Sequence, residues 1–267
     1  MRIGLIDVDG YKGYPNYALM KISAYHKHKK DKVEWVNKST EYDIVYSSKV
    51  FTFTEDYDYN GIKTKQLIQG GTGYNITSKL PAEIENYNRL DYSIYPKCDF
   101  SMVFFSRGCI RKCKFCIVSK KEGYITPVKA TPLNKNGKWI DVLDNNFFAN
   151  PNWKQALEIL KKKNQPINFR GVDLRILTDD QAIELNKVKI KNSIYIAWDN
   201  PKEDLEPQLS QLVKHIKPYK LRCYVLVGYN STIAEDLHRI YTLQKYNILP
   251  YVMVYKDYEN PQEKTPY

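Results

Sequence analysis

The sequence predicts an α/β protein with a small Rossmann-like N-terminal domain and linker over residues 1–97 and a second α/β domain over residues 98–267. Three observations predict it. The first hundred residues read strand–helix–strand–strand. From Phe100 onward six short apolar runs alternate with segments of helical periodicity, which makes their sheet parallel. An apolar content of 43% over 267 residues suffices for a sizeable core, as one large domain or two modest ones.

RIGLIDV (2–8) reads as a short buried strand, and YALMKISAYHKHK (17–29) as a helix with Ala18, Ile22 and Tyr25 on one face. KVEWV (32–36) and YDIVYSS (42–48) alternate or run apolar as strands do. GGTGYN (70–75) departs from G-x-G-x-x-G and lacks a convincing helix after it, so it reads as a turn. Leu80 to Lys97, with its prolines and tyrosines, reads as a linker or wrap-around segment.

The six later strands are DFSMVFF (99–105), KWIDVL (138–143), INF (167–169), SIYIAW (193–198), LRCYVLVG (221–228) and PYVMVY (250–255). Asn150-Pro151 offers an N-cap with Pro at N1 for a helix carrying Trp153, Ala156, Leu157 and Leu160. TDDQAIELNKV (178–188) opens on a Thr cap and an acidic first turn, and DLEPQLSQLVKHI (204–216) and TIAEDLHRIYTLQKY (232–246) complete the helices. Such a sheet, open or curled into an incomplete barrel, takes ligands at the carboxyl ends of its strands. ENPQEKTPY (259–267) carries no clear terminal element.

No apolar run approaches the roughly 20 residues that span a bilayer, so no membrane partner is expected. The opening MRIGLIDVDG lacks the pattern of a secretory signal. Five cysteines without an even framework suit a reducing, cytoplasmic setting. The net charge of +11 suits nucleic acid, phosphorylated metabolites or anionic surfaces, and equally a solvated Lys-rich surface. The densest run, HKHKKDK (26–32), ends a helix, where cations complement the helix dipole. The 23 tyrosines show no regular spacing and point to no function.

FFSRGCIRKCKFCIVSK (104–120) places Cys109, Cys113 and Cys116 within eight residues, among Arg107, Arg111, Lys112 and Lys114. Offsets of 0, 4 and 7 would put the thiols on one helical face, so a stripe of small core residues is one reading. Gly108, directly after a strand, favours a tight loop instead. A closed zinc site wants four ligands. Cys98 and Cys223 are distant in sequence and no His lies between residues 29 and 214, so zinc needs a remote fourth ligand. A disulfide would leave one thiol over. Three thiolates without a nearby fourth suit a [4Fe–4S] cluster with one open iron, and the flanking cations favour the thiolate forms.

The C-x3-C-x2-C spacing with an aromatic before the last cysteine (Cys109, Cys113, Phe115, Cys116), after a strand and before α/β repeats, resembles the radical S-adenosylmethionine (SAM) enzymes over about residues 99–256. The resemblance implies a partial (β/α)6 barrel and one [4Fe–4S] cluster on the three cysteines. It also implies SAM chelated through its amine and carboxylate at the open iron, and an external one-electron reductant. Reductive cleavage of SAM would then give a 5′-deoxyadenosyl radical that abstracts hydrogen from substrate.

Asp144, Asn145 and Asn146 in LDNNF (143–147) stand where the family has a GGE-like segment for the SAM amino group; a carboxylate and two amides can still bind an ammonium. Arg175 in GVDLR (171–175) is implied for the SAM carboxylate or ribose, and Asp199 in AWD (197–199) for a ribose hydroxyl. Gly228 in VLVGY (225–229) is implied for close approach to adenine, and Phe115 beside it. Ordinary loop chemistry accounts for the same residues, because Asp and Asn favour turns and Gly ends strands. No residue stands out as a catalytic acid or base.

The front domain, through YPNYALMKISAYHK and DIVYSS, is similar to cobalamin-binding radical SAM proteins in shortened form. It lacks D-x-H-x-x-G and reads as cofactor-free. Methylthiotransferases resemble the barrel too, but residues 1–97 hold none of the cysteines their second triad needs. The competing function is a non-catalytic iron–sulfur or zinc protein that binds nucleic acid, and a cluster used only for electron transfer is a third. As substrate, the positive charge favours RNA or a phosphorylated metabolite.

Overall fold

The computed structural model describes residues 1–10 and 13–255; the end of the second domain, including ENPQEKTPY, lies outside the described residues. In chain order the elements begin with β1 (Arg2–Asp7), α1 (Tyr17–His28), β2 (Lys32–Trp35), β3 (Glu41–Ser48), β4 (Lys63–Gly70), α2 (Ala82–Asn86) and β5 (Phe100–Val103). Then come β6 (Ser106–Arg107), α3 (Val118–Lys121), β7 (Thr126–Pro127), β8 (Trp139–Val142), α4 (Trp153–Lys163) and β9 (Ile167–Phe169). The chain continues through α5 (Asp179–Asn186), β10 (Ile194–Ala197), α6 (Glu206–His215), β11 (Leu221–Val227), α7 (Ile233–Lys245) and β12 (Leu249–Val254). This is mixed α/β structure with parallel sheets. Among the described residues no helix is long and apolar enough to cross a membrane.

The chain forms two compact units. One comprises Met1–Phe104, Arg111–Gly123 and Lys129–Lys138; the other comprises Phe105–Ile110, Tyr124–Val128 and the chain from Trp139. In the first, four parallel strands run in the order β2-β1-β3-β4, with β1 and β3 central. Ile3, Leu5, Leu19, Ile22, Tyr46 and Ile84 form one buried cluster, while Ile6, Tyr42 and Val45 form another that Val36, Tyr57 and Tyr59 cover.

β4 escapes sequence reading because KTKQLIQG is an edge strand whose exposed positions carry Lys and Gln beside a single apolar residue, Leu67. The glycines after it form a turn, with Tyr74 N–H bonded to the Gly71 carbonyl at 3.1 Å.

α1 buries a wider face than Ala18, Ile22 and Tyr25. Leu19, Met20, Ile22, Ser23 and His26 are buried, whereas Ala18 and Tyr25 are half-buried. The cause is the segment from Leu80, which wraps the helix: Lys21 Nζ donates to the Glu85 carbonyl at 2.5 Å and Ser23 Oγ to Asp91 at 2.6 Å. His26 likewise departs from its solvated run, since its ring meets Asp31 at 2.7 Å and Tyr46 at 3.2 Å.

In the second unit β8 pairs with β9, and β10-β11-β12 form a parallel sheet, with a single bridge from Ile167 to Ile190. Alternate strand residues (Ile140, Val142, Ile167, Phe169, Ile194, Ile196) are buried, as are Leu157, Leu185, Leu209 and Leu243 from the four helices. Thr178 with Gln181 and Thr232 with Glu235 make reciprocal capping boxes that start α5 and α7. α4 starts later than Asn150-Pro151 predicts. Asn150 is buried and its amide donates to the Phe105 carbonyl at 3.2 Å, so it anchors the turn before the helix and Asn152 takes the cap position.

Residues 36–40 alone return the chain from β2 to β3, and Val36 is pressed against β1 at Gly4. A Cβ at Gly4 would stand 2.7 Å from Val36 Cγ2, 3.0 Å from Val45 Cγ2 and 3.1 Å from Tyr42 Cδ1. Overpacking of that kind costs about 1–3 kcal/mol. Gly4→Ala is therefore expected to lower the unfolding free energy measured in urea by that amount without changing the secondary-structure spectrum, and an unchanged midpoint would contradict the packing.

Candidate functional site

The cysteine segment is a loop rather than a helix. Gly108 turns the chain at φ +80° directly after β6, and α3 begins only at Val118. Between them the Cys116 N–H bonds to the Cys113 carbonyl at 3.0 Å, a tight turn over Lys114 and Phe115. Cys109, Cys113, Phe115 and Cys116 are half-buried, whereas Cys98 and Cys223 are buried, and all five cysteines are thiols without a disulfide. A core stripe would bury the three thiols as the other two are buried; it does not.

Asp144 is fully buried just past β8. Its carboxylate accepts from the Phe105 N–H at 2.8 Å and from Ser106 Oγ at 2.5 Å, which ties it to the strand that leads into the cysteines. Burial pushes its carboxyl up to about 6, against the bonds from Ser106 and Phe105 that lower it. Both of its oxygens are thus engaged by the chain that enters the cysteine loop. Asn145 is half-buried with its carbonyl against Gly171, where a Cβ would stand only 2.2 Å from that oxygen. Glycine at 171 is what lets this turn close, and the Phe147 N–H bonds to the Gly171 carbonyl at 3.0 Å.

Asn146 is 1% exposed and meets a cysteine. Its Nδ2 lies 3.9 Å from Cys109 Sγ and donates to Asp173 Oδ2 at 3.2 Å. Its Oδ1 is buried without a hydrogen-bond partner. Such an atom costs about 1–3 kcal/mol unless a donor reaches it.

Asp173 in turn grips Arg175, at 2.7 Å from Oδ1 to Nε and 3.2 Å from Oδ2 to Nη2, and Glu203 lies 3.5 Å from Nη1. Burial pushes the Asp199 carboxyl up, while the charges of Arg175 and Arg239 and the Leu226 N–H oppose it. Gly228 turns at φ +76° and its N–H donates to Asp236 Oδ2 at 3.1 Å.

Asn146, Arg175, Asp199 and Gly228 thus follow β8, β9, β10 and β11 in turn at their carboxyl ends. Sequence reading missed Ser106, Asp173, Asp236 and Arg239. Arg239 is fully buried in α7, pairs with Asp236 and donates to the Trp198 carbonyl at 2.7 Å and the Leu226 carbonyl at 2.8 Å. The available signal was an Asp and an Arg three apart on a helix, which normally marks a solvated pair.

Among the described residues no group of three His, Cys, Asp or Glu side chains could hold a metal ion as placed. The donor chemistry nevertheless fits an iron–sulfur cluster. Three soft, unbridged, half-exposed thiols lie in one loop, and a buried amide reaches the first of them. No family model matches the chain, and no curated protein does.

Asp144 gives a pH test. Its carboxyl holds a proton more tightly in the folded protein than its ordinary value of 3.8. Stability should therefore fall as pH rises from about 4 to about 6, by up to about 3 kcal/mol. Asp144→Asn is expected to flatten that fall in urea unfolding series. Parallel profiles for the two proteins would show that Asp144 carries no such proton.

Proposed function

We propose that the chain is a radical SAM enzyme, with a short Rossmann-like unit and a partial (β/α)6 barrel, acting in a reducing cytoplasm. The observation that carries the reading is the half-exposed C-x3-C-x2-C loop with Asn146 beside its first thiol. Cys109, Cys113 and Cys116 would hold one [4Fe–4S] cluster as thiolates, with Arg107, Arg111, Lys112 and Lys114 offsetting its charge. When bound and reduced by an external one-electron donor, that cluster supplies the electron that cleaves SAM and starts hydrogen abstraction from substrate.

The chain's own residues bind and orient. Asn146 Oδ1, buried and unpartnered, is an acceptor suited to the SAM ammonium. Asp144 positions: it holds Phe105 and Ser106 and so sets where the cysteine loop begins. Arg175, gripped by Asp173, offers its guanidinium to a carboxylate or ribose, and Asp199 is an acceptor for a ribose hydroxyl. Gly228 and Phe115 suit a flat ring, one by its missing side chain and the other by its π-face. With a net charge of +11, the substrate class that fits best is RNA or a phosphorylated metabolite.

The test is anaerobic reconstitution with iron and sulfide, then dithionite and SAM, with 5′-deoxyadenosine measured by chromatography. The wild type is expected to form it, and Cys109→Ala, Cys113→Ala and Cys116→Ala are each expected to lose both the cluster absorbance and the product. A loaded cluster that yields no 5′-deoxyadenosine, together with salt-sensitive RNA affinity, would instead favour a nucleic-acid-binding iron–sulfur protein. Asn146→Ala should keep the cluster spectrum while weakening SAM binding about tenfold, the worth of one buried hydrogen bond to a charged group; equal affinity would remove Asn146 from the site.

A further inference from the structure

The first unit contains a cavity of about 460 Å³ at the carboxyl ends of β1 and β2. Parallel sheets take small ligands at that end, and ligand sites run from about 300 to 1,000 Å³. Leu5, Ile6, Val36 and Ile94 make its apolar walls, and Trp35, Tyr57 and Tyr95 bring three aromatic rings. Trp35 is 40% exposed, with its ring 5.4 Å from that of Tyr95 at an interplanar angle of 65°.

Among the described residues, two charged side chains line this space. Asp7 ends β1 half-buried, and Tyr95, itself only 4% exposed, donates its hydroxyl to Asp7 Oδ2 at 2.7 Å. The carboxylate is thereby held in one orientation, and an ionised carboxylate only accepts hydrogen bonds. Burial pushes the Asp7 carboxyl up despite the bond from Tyr95, so further N–H donors would stabilise its charge. Lys97 lines the cavity as an exposed ammonium, which only donates. DVDGYKG (7–13) after β1 is no G-x-G-x-x-G loop, and among the described residues Lys97 is the cation that lines the cavity.

We infer that this cavity binds a guanine nucleotide, with the base against Trp35, its N1–H and exocyclic N2–H donors turned to Asp7, and its phosphate toward Lys97. Flat aromatic walls select a flat ring. Of the two purines, guanine presents two adjacent donors to a carboxylate. Adenine presents the lone pair of its ring N1 on the same edge, which faces the carboxylate lone pairs and is repelled.

The site is independent of the cysteine loop, so it is tested on the full chain without reconstitution, by calorimetric titration with GMP, AMP and ribose 5-phosphate at pH 7.5. GMP is expected to bind, AMP at least about tenfold more weakly, and ribose 5-phosphate not at all. Asp7→Asn should reduce the preference for GMP over AMP to within about threefold, and Trp35→Ala should weaken GMP about tenfold. Circular dichroism checks that both variants are folded. Absence of heat with millimolar GMP, equal affinity for GMP and AMP, or wild-type binding by both folded variants would overturn the assignment. Formation of 5′-deoxyadenosine by reconstituted protein is a separate measurement that these variants should leave unchanged.

Discussion

The second unit depends on one buried carboxylate. Asp144 leaves β8 and reaches back to the Phe105 N–H and Ser106 Oγ, so the chain entering the cysteine loop and the chain leaving β8 are tied together at a single side chain. A charge at zero exposure is costly, and its bonds only partly offset the cost, since its carboxyl still sits well above the ordinary range. The same bond sets the start of the turn that brings Asn146 to Cys109 and drives Phe147 into the core, where it meets Phe105 and Phe169.

Beyond that tie, the strand ends are linked by polar side chains that act in sequence. Asn146 leads to Asp173, Asp173 to Arg175, and Arg175 to Glu203. On the far side Arg239 joins the ends of β10 and β11 through two carbonyls, and Asp236 shares itself between Arg239 and the N–H of Gly228. The result is a series of largely buried polar contacts at the carboxyl ends of these strands.

The elements were legible where periodicity or capping was local. β9 and the starts of α5 and α7 follow from INF and from the Thr-x-x-Gln and Thr-x-x-Glu boxes. β4 was not, because an edge strand need not alternate cleanly when both faces meet water. The start of α4 was misplaced because a distant carbonyl, that of Phe105, claimed the residue that looked like its cap. For the candidate site, the cysteines stood out by their spacing, and Asn146 and Arg175 only through the family resemblance and their position at strand ends. Asp173 and Arg239 could not, since their importance lies in partners 27 and 41 residues away, and no local pattern reports such distances.

The contrast among the five thiols carries a chemical consequence. Cys98 and Cys223 are buried, and burial pushes both further from ionisation, so they are poor nucleophiles and slow to oxidise. Cys109, Cys113 and Cys116 lie half-open among cations. Air would therefore damage the chain in a set order, first along one eight-residue loop, leaving the two interior thiols as an unreacted internal standard. The ratio of modified to unmodified cysteine is then a direct readout of how much of a preparation has been exposed to oxygen.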